Sequence, residues 1–400
     1  MTAKKITTQA VMKQFDKYVI ANYGRLPVVI VRGKDCHVWD ADGRKYLDMF
    51  PGWAVSGIGH CHPHVVKAIR DQAGQLIHVA NNFYSEPQGR LAKWISRKSF
   101  GGKCFFCNSG AEANEGAIKL ARIATPPGKN KIITMHNSFH GRTLATIKAT
   151  AQPKYQKGFE PLPQGFGYVP FGDLKSLERA INARTCAVMV EPIQGEGGIN
   201  VGTDAYLRGL RRLCNRHKIL LIFDEVQTGM GRTGDYFGYQ HSGVVPDIMT
   251  LAKSLGGGVA IGALAAKDEI AAKLVPGTHA STFGGNALAA AAACATFETI
   301  EKAKLIQNTR KMSTYALGKL EGLKKKHAVI DEIRGRGLMI GIDLARTGAG
   351  VVERCMQKGM LINCTHDTVL RFMPPMTVKK THIDRAMRLL DEALGEEFPD

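Results

Sequence analysis

The run Leu220-Leu221-Ile222-Phe223-Asp224-Glu225 closes an apolar stretch with two acids, so a strand here would carry a carboxylate to the carboxyl edge of a sheet. Ligands in open α/β sheets bind at that edge. Twenty-nine residues after Asp224, Lys253 stands between the apolar Ile248 to Leu251 and the glycines Gly256, Gly257 and Gly258. A desolvated lysine amine shifts its pKa readily, which is the property a Schiff-base lysine needs. Glycines beside it let backbone approach a flat ligand. An ion pair of Asp224 with Lys253 that serves only the fold is the competing reading; a lysine between strand and glycine run favours a functional site.

Upstream, Phe105-Phe106-Cys107-Asn108-Ser109-Gly110-Ala111-Glu112 reads as a strand, a polar turn and a helix start. The free amides of such a start, with the Ser109 hydroxyl, form an anion site. A simple N-cap produces the same pattern, so this segment gains meaning only beside Asp224 and Lys253.

These residues need a scaffold, and the periodicity supplies one. Val28 to Tyr46 reads as short β segments with a turn at Asp40-Ala41-Asp42-Gly43. His64 to Ala80 and Glu112 to Ala124 have helical spacing, while Lys131 to Met135, Ala187 to Glu191, Ile219 to Asp224, Ile248 to Leu251 and Ile261 to Ala265 are short apolar runs. Alternation of this kind predicts an α/β layer with a mostly parallel sheet. The Ala-rich stretch from Gly285 to Ile300 predicts a helix, a second follows to Lys326, and a last spans Ile383 to Leu394.

A chain of 400 residues with 44% hydrophobic content can bury one large core and a satellite. The expected division is 1–60 as the first part of a small domain, 61–290 as the large domain, and 291–400 as a linking helix with the rest of the small domain. Nine scattered cysteines argue for reduced thiols and a cytoplasmic setting. Cys104 and Cys107 have redox-motif spacing, but the apolar filling between them reads as a buried strand. His60, His62 and His64 read as a turn entering a helix, and no metal is expected. No run is long and apolar enough to span a membrane. The net charge of +19 is spread along the chain without a nucleic-acid motif, so it speaks for anionic cofactors and substrates or an acidic protein partner.

The block Phe223-Asp224-Glu225-Val226-Gln227-Thr228-Gly229-Met230-Gly231-Arg232-Thr233-Gly234, followed by Pro246-Asp247-Ile248 and Lys253, resembles the class III aminotransferases of pyridoxal-5′-phosphate (PLP) fold type I, and within them the acetylornithine branch. The likeness runs from Tyr23-Gly24-Arg25 to Arg371-Phe372-Met373-Pro374-Pro375. It implies an α/β large domain with a small α/β domain built from both termini, and PLP held covalently by Lys253. It further implies that Asp224 keeps the pyridine nitrogen protonated, Gln227 contacts the ring oxygen, Phe139 stacks on the ring, and Glu191 lies near the cofactor. Ser109, Gly110 and Ala111 would bind the phosphate, joined by Thr282 of a second subunit, which makes the expected assembly a homodimer with a shared site.

For substrates, the likeness implies that Arg371 takes the α-carboxylate of glutamate and Arg142 the distal carboxylate of either substrate. The planar guanidinium fork matches a carboxylate. Glu196 would neutralise Arg371 when a terminal amine enters. Tyr23 and Trp53 lie where the family varies its substrate contacts. His140 favours the acetylornithine branch over the ornithine branch, while Trp53 and Ala260 depart from the acetylornithine pattern. The expected reaction is transfer of the terminal amino group of N2-acetyl-L-ornithine, or a close N-acyl relative, to 2-oxoglutarate. Ornithine, succinylornithine, 4-aminobutyrate and a donor carried on an acidic carrier protein are the alternatives.

Overall fold

The structure, a computed structural model, describes residues 7–399. Its centre is a seven-stranded sheet in the order Lys103–Cys107, Gly262–Ala266, Ile248–Leu251, Leu220–Asp224, Thr185–Val190, Lys131–Met135, Phe166–Val169. Gly262–Ala266 alone runs against its two neighbours; the rest are parallel. The expected mostly parallel sheet is therefore present. Central strands must be apolar on both faces because helices cover both. Accordingly Leu221, Ile222 and Phe223 are fully buried, each contributing about 1.5–3 kcal/mol through burial.

The Ala-rich segment forms the helix Ala287–Lys302, buried on almost every side. Alanines let the helices Pro63–Ala73 and Glu86–Lys98 approach it closely. It belongs to the large hydrophobic core, so the expected boundary at 290/291 falls inside an element of that core. The chain leaves it through Lys304, in the left-handed region at φ 50°, into the helix Leu305–Lys326.

A second core joins both ends of the chain. Cys36, Leu47 and Met49 pack with Leu320, Ile340, Leu370 and Leu390. Lys45–Asp48 pairs in parallel with Met360–Leu361, and an antiparallel sheet runs Ile330–Arg336, Met339–Leu344, Val369–Phe372, Asn363–Thr365. The helix Lys380–Glu397 covers it, longer than the span Ile383 to Leu394 read from periodicity.

Some expectations need correction. The helix expected over His64 to Ala80 stops at Ala73, because Gly74 caps it and Leu76 and Ile77 are exposed rather than packed on a helical face. Glu86–Lys98, Asp204–His217 and Phe166–Val169 were not anticipated, although the two helices bury residues at helical spacing (Leu91 and Ile95; Leu207, Leu210 and Leu213); the strand is a four-residue edge. Cys104 and Cys107 lie in a strand, with burial pushing each thiol up to about 12. His60 and His64 turn to separate carboxylates, Asp48 at 2.8 Å and Glu298 at 2.7 Å. None of the nine cysteines is joined to another. No helix among the described residues is long and apolar enough to cross a membrane.

Candidate active site

Five parallel strands end around one cavity of about 450 Å³, and each delivers a residue at its carboxyl end or shortly beyond it. Lys103–Cys107 leads to Ser109, Lys131–Met135 to Phe139, Thr185–Val190 to Glu191, Leu220–Asp224 to Asp224, and Ile248–Leu251 to Lys253. Parallel strands bring their carboxyl ends to one edge, which is why residues so distant in sequence meet. Gly110, Ala111, Arg142, Glu196 and Gln227 complete the expected lining.

Asp224 is almost wholly buried. Its Oδ2 accepts from Asn114 Nδ2 at 2.8 Å and lies 2.8 Å from His140 Nδ1, while Oδ1 accepts from the Val226 amide at 3.0 Å. A buried carboxylate needs such donors to remain charged. Asn114 also donates to the His140 carbonyl at 2.7 Å, locking the histidine segment to the first helix of the site.

Lys253 begins a single turn of 3-10 helix at φ 46°, an orientation a lysine adopts at a cost in local strain. Burial lowers its pKa; the charges of Glu196, Asp224 and Glu191 oppose that shift, and Arg371 adds to it. Its neighbour Ser254 donates to the Ala54 carbonyl at 2.6 Å, pinning the turn.

Glu191 is a brace. It accepts from the Phe139 amide at 2.9 Å and the Gly195 amide at 3.0 Å, tying together the two loops that carry Phe139 and Glu196. Burial pushes its pKa up to about 7, opposed by His140 and reinforced by Asp224. A Cβ at Gly195 would lie 1.9 Å from Gln227 Oε1, so a side chain there would displace the Gln227 amide.

Arg371 is buried and flanked on several sides. Its Nη1 lies 2.6 Å from Glu196 Oε1, its Nε donates to Asn363 Oδ1 at 2.7 Å, and its guanidinium sits 4.5 Å over the Phe50 ring. For Glu196, burial raises the pKa, but the charge and hydrogen bond of Arg371, with help from Lys253 and Gln227, lower it overall. Arg142 is exposed, stacked 4.0 Å over the Tyr155 ring and 5.5 Å over Phe139. Beyond Glu196 lies an adjoining cavity of about 360 Å³, walled by Trp53, Tyr155, Asn363 and Arg371.

Four expected residues lie outside the main cavity, Arg371 among them, since it lines the adjoining one. Trp53 lines only the adjoining one and is half exposed. Tyr23 lines neither; it is 65% exposed, with Arg25 stacked over its ring at 5.5 Å. Thr282 is exposed on the surface of the single chain. Conversely, Asn114 and Asn363 hold the two key charged groups and were not singled out from sequence. Asn114 had a readable signal, a polar residue within the otherwise apolar face of its helix. Asn363 had none, since its partner lies on a different strand.

The cavity fits pyridoxal phosphate. Among the described residues, Gln227 Oε1, Asn114 Oδ1 and His140 Nε2 are buried without a hydrogen-bond partner, so the site has polar capacity to spare. Ser109 caps the helix Gly110–Ile123, accepting from the Glu112 amide at 3.2 Å, and the amides at this helix start face an anion site. A cationic ring nitrogen suits Asp224, and an aldehyde suits the amine of Lys253.

Comparison with known proteins agrees with this geometry. The family model described as Aminotransferase class-III matches residues 18–394. Acetylornithine aminotransferase of Methanocaldococcus jannaschii is 54% identical over 95% of this chain and 96% of that protein. Among solved structures, ornithine aminotransferase of Toxoplasma gondii, described with partial occupancy of PLP at its active site, superposes with a TM-score of 0.94 at 34% identity, covering 98% and 96% of the two chains. Acetylornithine aminotransferase of Elizabethkingia anophelis superposes with a TM-score of 0.88 at 31% identity, covering 99% of this chain and 100% of that one.

Proposed function

Because the chain belongs to the class-III aminotransferases, we propose that it transfers the terminal amino group of N2-acetyl-L-ornithine, or a close N-acyl relative, to 2-oxoglutarate, giving the semialdehyde and L-glutamate. It is a PLP-dependent aminotransferase of fold type I. The observation that carries the substrate reading is the Glu196–Arg371 pair at 2.6 Å, in which Glu196 lines the cavity that holds Lys253 and Arg371 the adjoining one. An ω-amine donor needs its amine at Lys253 and its carboxylate elsewhere. Glu196 cancels the guanidinium charge that would draw an α-carboxylate to the wrong place, while Arg142 stays free at the rim.

When bound, pyridoxal phosphate supplies the aldehyde that receives the amino group and the ring that takes up electrons from the deprotonated carbon. Lys253 Nζ holds the cofactor and moves the proton at the reacting carbon. Burial lowers its pKa, which makes a neutral amine accessible for that transfer. Asp224, held by Asn114 and His140, would present its carboxylate to the ring nitrogen. Ser109, Gly110 and Ala111 serve the phosphate, Gln227 the ring oxygen and Phe139 the ring face. With 2-oxoglutarate or glutamate, Glu196 releases Arg371, and the guanidinium fork binds the α-carboxylate.

Phe83, Tyr84 and Phe283 are exposed, as is Thr282, and Asn81 Nδ2 joins the two segments by donating to the Ser281 carbonyl at 3.0 Å. A second copy of the chain covering this surface would bring Thr282 to the partner's phosphate site, giving the homodimer expected from sequence. The reaction suits a role in arginine biosynthesis.

Steady-state kinetics with acetylornithine, succinylornithine, ornithine and 4-aminobutyrate test the reading. The highest kcat/KM belongs to an N-acylornithine; preference for free ornithine would overturn it. The ornithine alternative is favoured by one observation, the aromatic Trp53 beside the Glu196–Arg371 pair.

A further inference from the structure

Arg232 has 1% of its surface exposed. Among the described residues it has no carboxylate partner: Nη1 donates to two backbone carbonyls, Leu338 at 3.0 Å and Pro374 at 2.5 Å, while Nε and Nη2 are buried without partners. A buried guanidinium satisfied so sparsely is expensive to the fold. Packing alone would be better served by an apolar side chain.

Its position supplies a reason. Arg232 sits in the loop that starts at Asp224 and carries Gln227. Both acceptors lie at one end of the antiparallel sheet of the second core, and Pro374 comes three residues after Arg371. The Leu338 amide also donates back to the Arg232 carbonyl at 3.0 Å, so the contact is two-way. On the other side, a Cβ on Gly57 would fall 2.3 Å from Ser254 Oγ and 3.6 Å from Arg232 Nη2, which brings the turn of Lys253 to the same point. The Met376 amide donates to the Gly57 carbonyl at 2.7 Å, closing the ring of contacts. Segments from Asp224, Lys253 and Arg371 thus converge on one side chain.

We infer that Arg232 is a positioning residue that sets where Arg371 stands relative to Lys253, and so governs how the α-amino donor is held. The inference rests on the proposed reading of Arg371 as the α-carboxylate anchor. It assigns Arg232 no contact with substrate. A lysine retains the charge but ends in a single ammonium, without the second nitrogen that lies toward Gly57 while Nη1 holds both strand ends. The α-amino half-reaction depends on where Arg371 stands; the ω-amino half-reaction, with Arg371 paired to Glu196, depends on it far less.

The test uses the PLP-loaded variants Arg232→Lys and Arg232→Gln, with separate half-reactions for L-glutamate and N2-acetyl-L-ornithine. In Arg232→Lys, KM for glutamate rises about tenfold, the cost of loosening one charge-assisted contact, while KM for acetylornithine moves less than about twofold. Arg232→Gln shows the larger split; where it does not fold, Arg232→Lys carries the comparison. Equal changes for both donors, or none, overturn the inference and leave Arg232 a purely structural residue whose loss lowers only the thermal midpoint. Arg371→Lys in parallel separates the two claims: an unchanged glutamate KM there overturns the reading of Arg371, and the inference with it.

Discussion

Glu196 Oε1 and Arg371 Nη1 stand 2.6 Å apart where two cavities adjoin, so the group proposed as the anchor for one substrate is paired with the enzyme's own carboxylate. Replacing Glu196 by glutamine leaves the buried guanidinium without its counter-charge and free for an incoming α-carboxylate. The kcat/KM for L-glutamate then rises and that for acetylornithine falls, with the ratio changing by about tenfold or more. Donor-specific half-reaction rates measure the ratio. An unchanged ratio would show that the pair is ornamental.

In the proposed assignment, Lys253→Ala removes both the amine that would hold the cofactor and the base at the reacting carbon. Turnover falls by at least about 10²–10⁴-fold, the ordinary contribution of a positioned proton-transfer group. The visible absorbance of lysine-bound cofactor is lost as well. A coloured, active variant would refute the assignment.

Asn114 bridges Asp224 and the His140 carbonyl at 2.8 and 2.7 Å. Asn114→Ala leaves a buried carboxylate short of one donor, a change costing about 1–3 kcal/mol. Weaker PLP retention on dialysis and a lower kcat are expected, without a change in donor preference. Selective loss of one donor would point to a different role.

Glu225 accepts from the amides of Gly238 at 2.8 Å and Tyr239 at 2.7 Å, yet burial pushes its pKa up to about 7 against those donors and Thr228. The folded state therefore binds this proton at higher pH than the unfolded chain, whose value is the ordinary 4.5. Proton uptake favours the fold, so stability from this group is present at low pH and declines as pH rises from about 4.5 to about 7. Urea midpoints across that window should fall less steeply in Glu225→Gln than in the parent. Parallel slopes would remove Glu225 from the account.

The apolar runs ending at Asp224 and Leu251 were legible because a buried parallel strand must be apolar on both faces, and Asp224 and Lys253 stood out as charges at their ends. Ser109 was ambiguous between cap and anion site, and the structure keeps both features: the hydroxyl caps the helix while the cavity opens beside it. Asn363 and Arg232 were not legible as partners of Arg371 and Pro374. Their roles rest on contacts across 8 and 142 residues of chain that no local pattern encodes.

The sequence by itself determined the chemistry, because strand ends, a glycine-flanked lysine and a helix start are local features written in residue type and spacing. Only the tertiary structure decided how the charges share one pocket. It paired Glu196 with Arg371, left Arg142 at the rim, put Trp53 in the adjoining cavity and kept Tyr23 and Thr282 outside. Those outcomes depend on how the two cores dock, and docking is set by packing summed over both cores rather than by any motif.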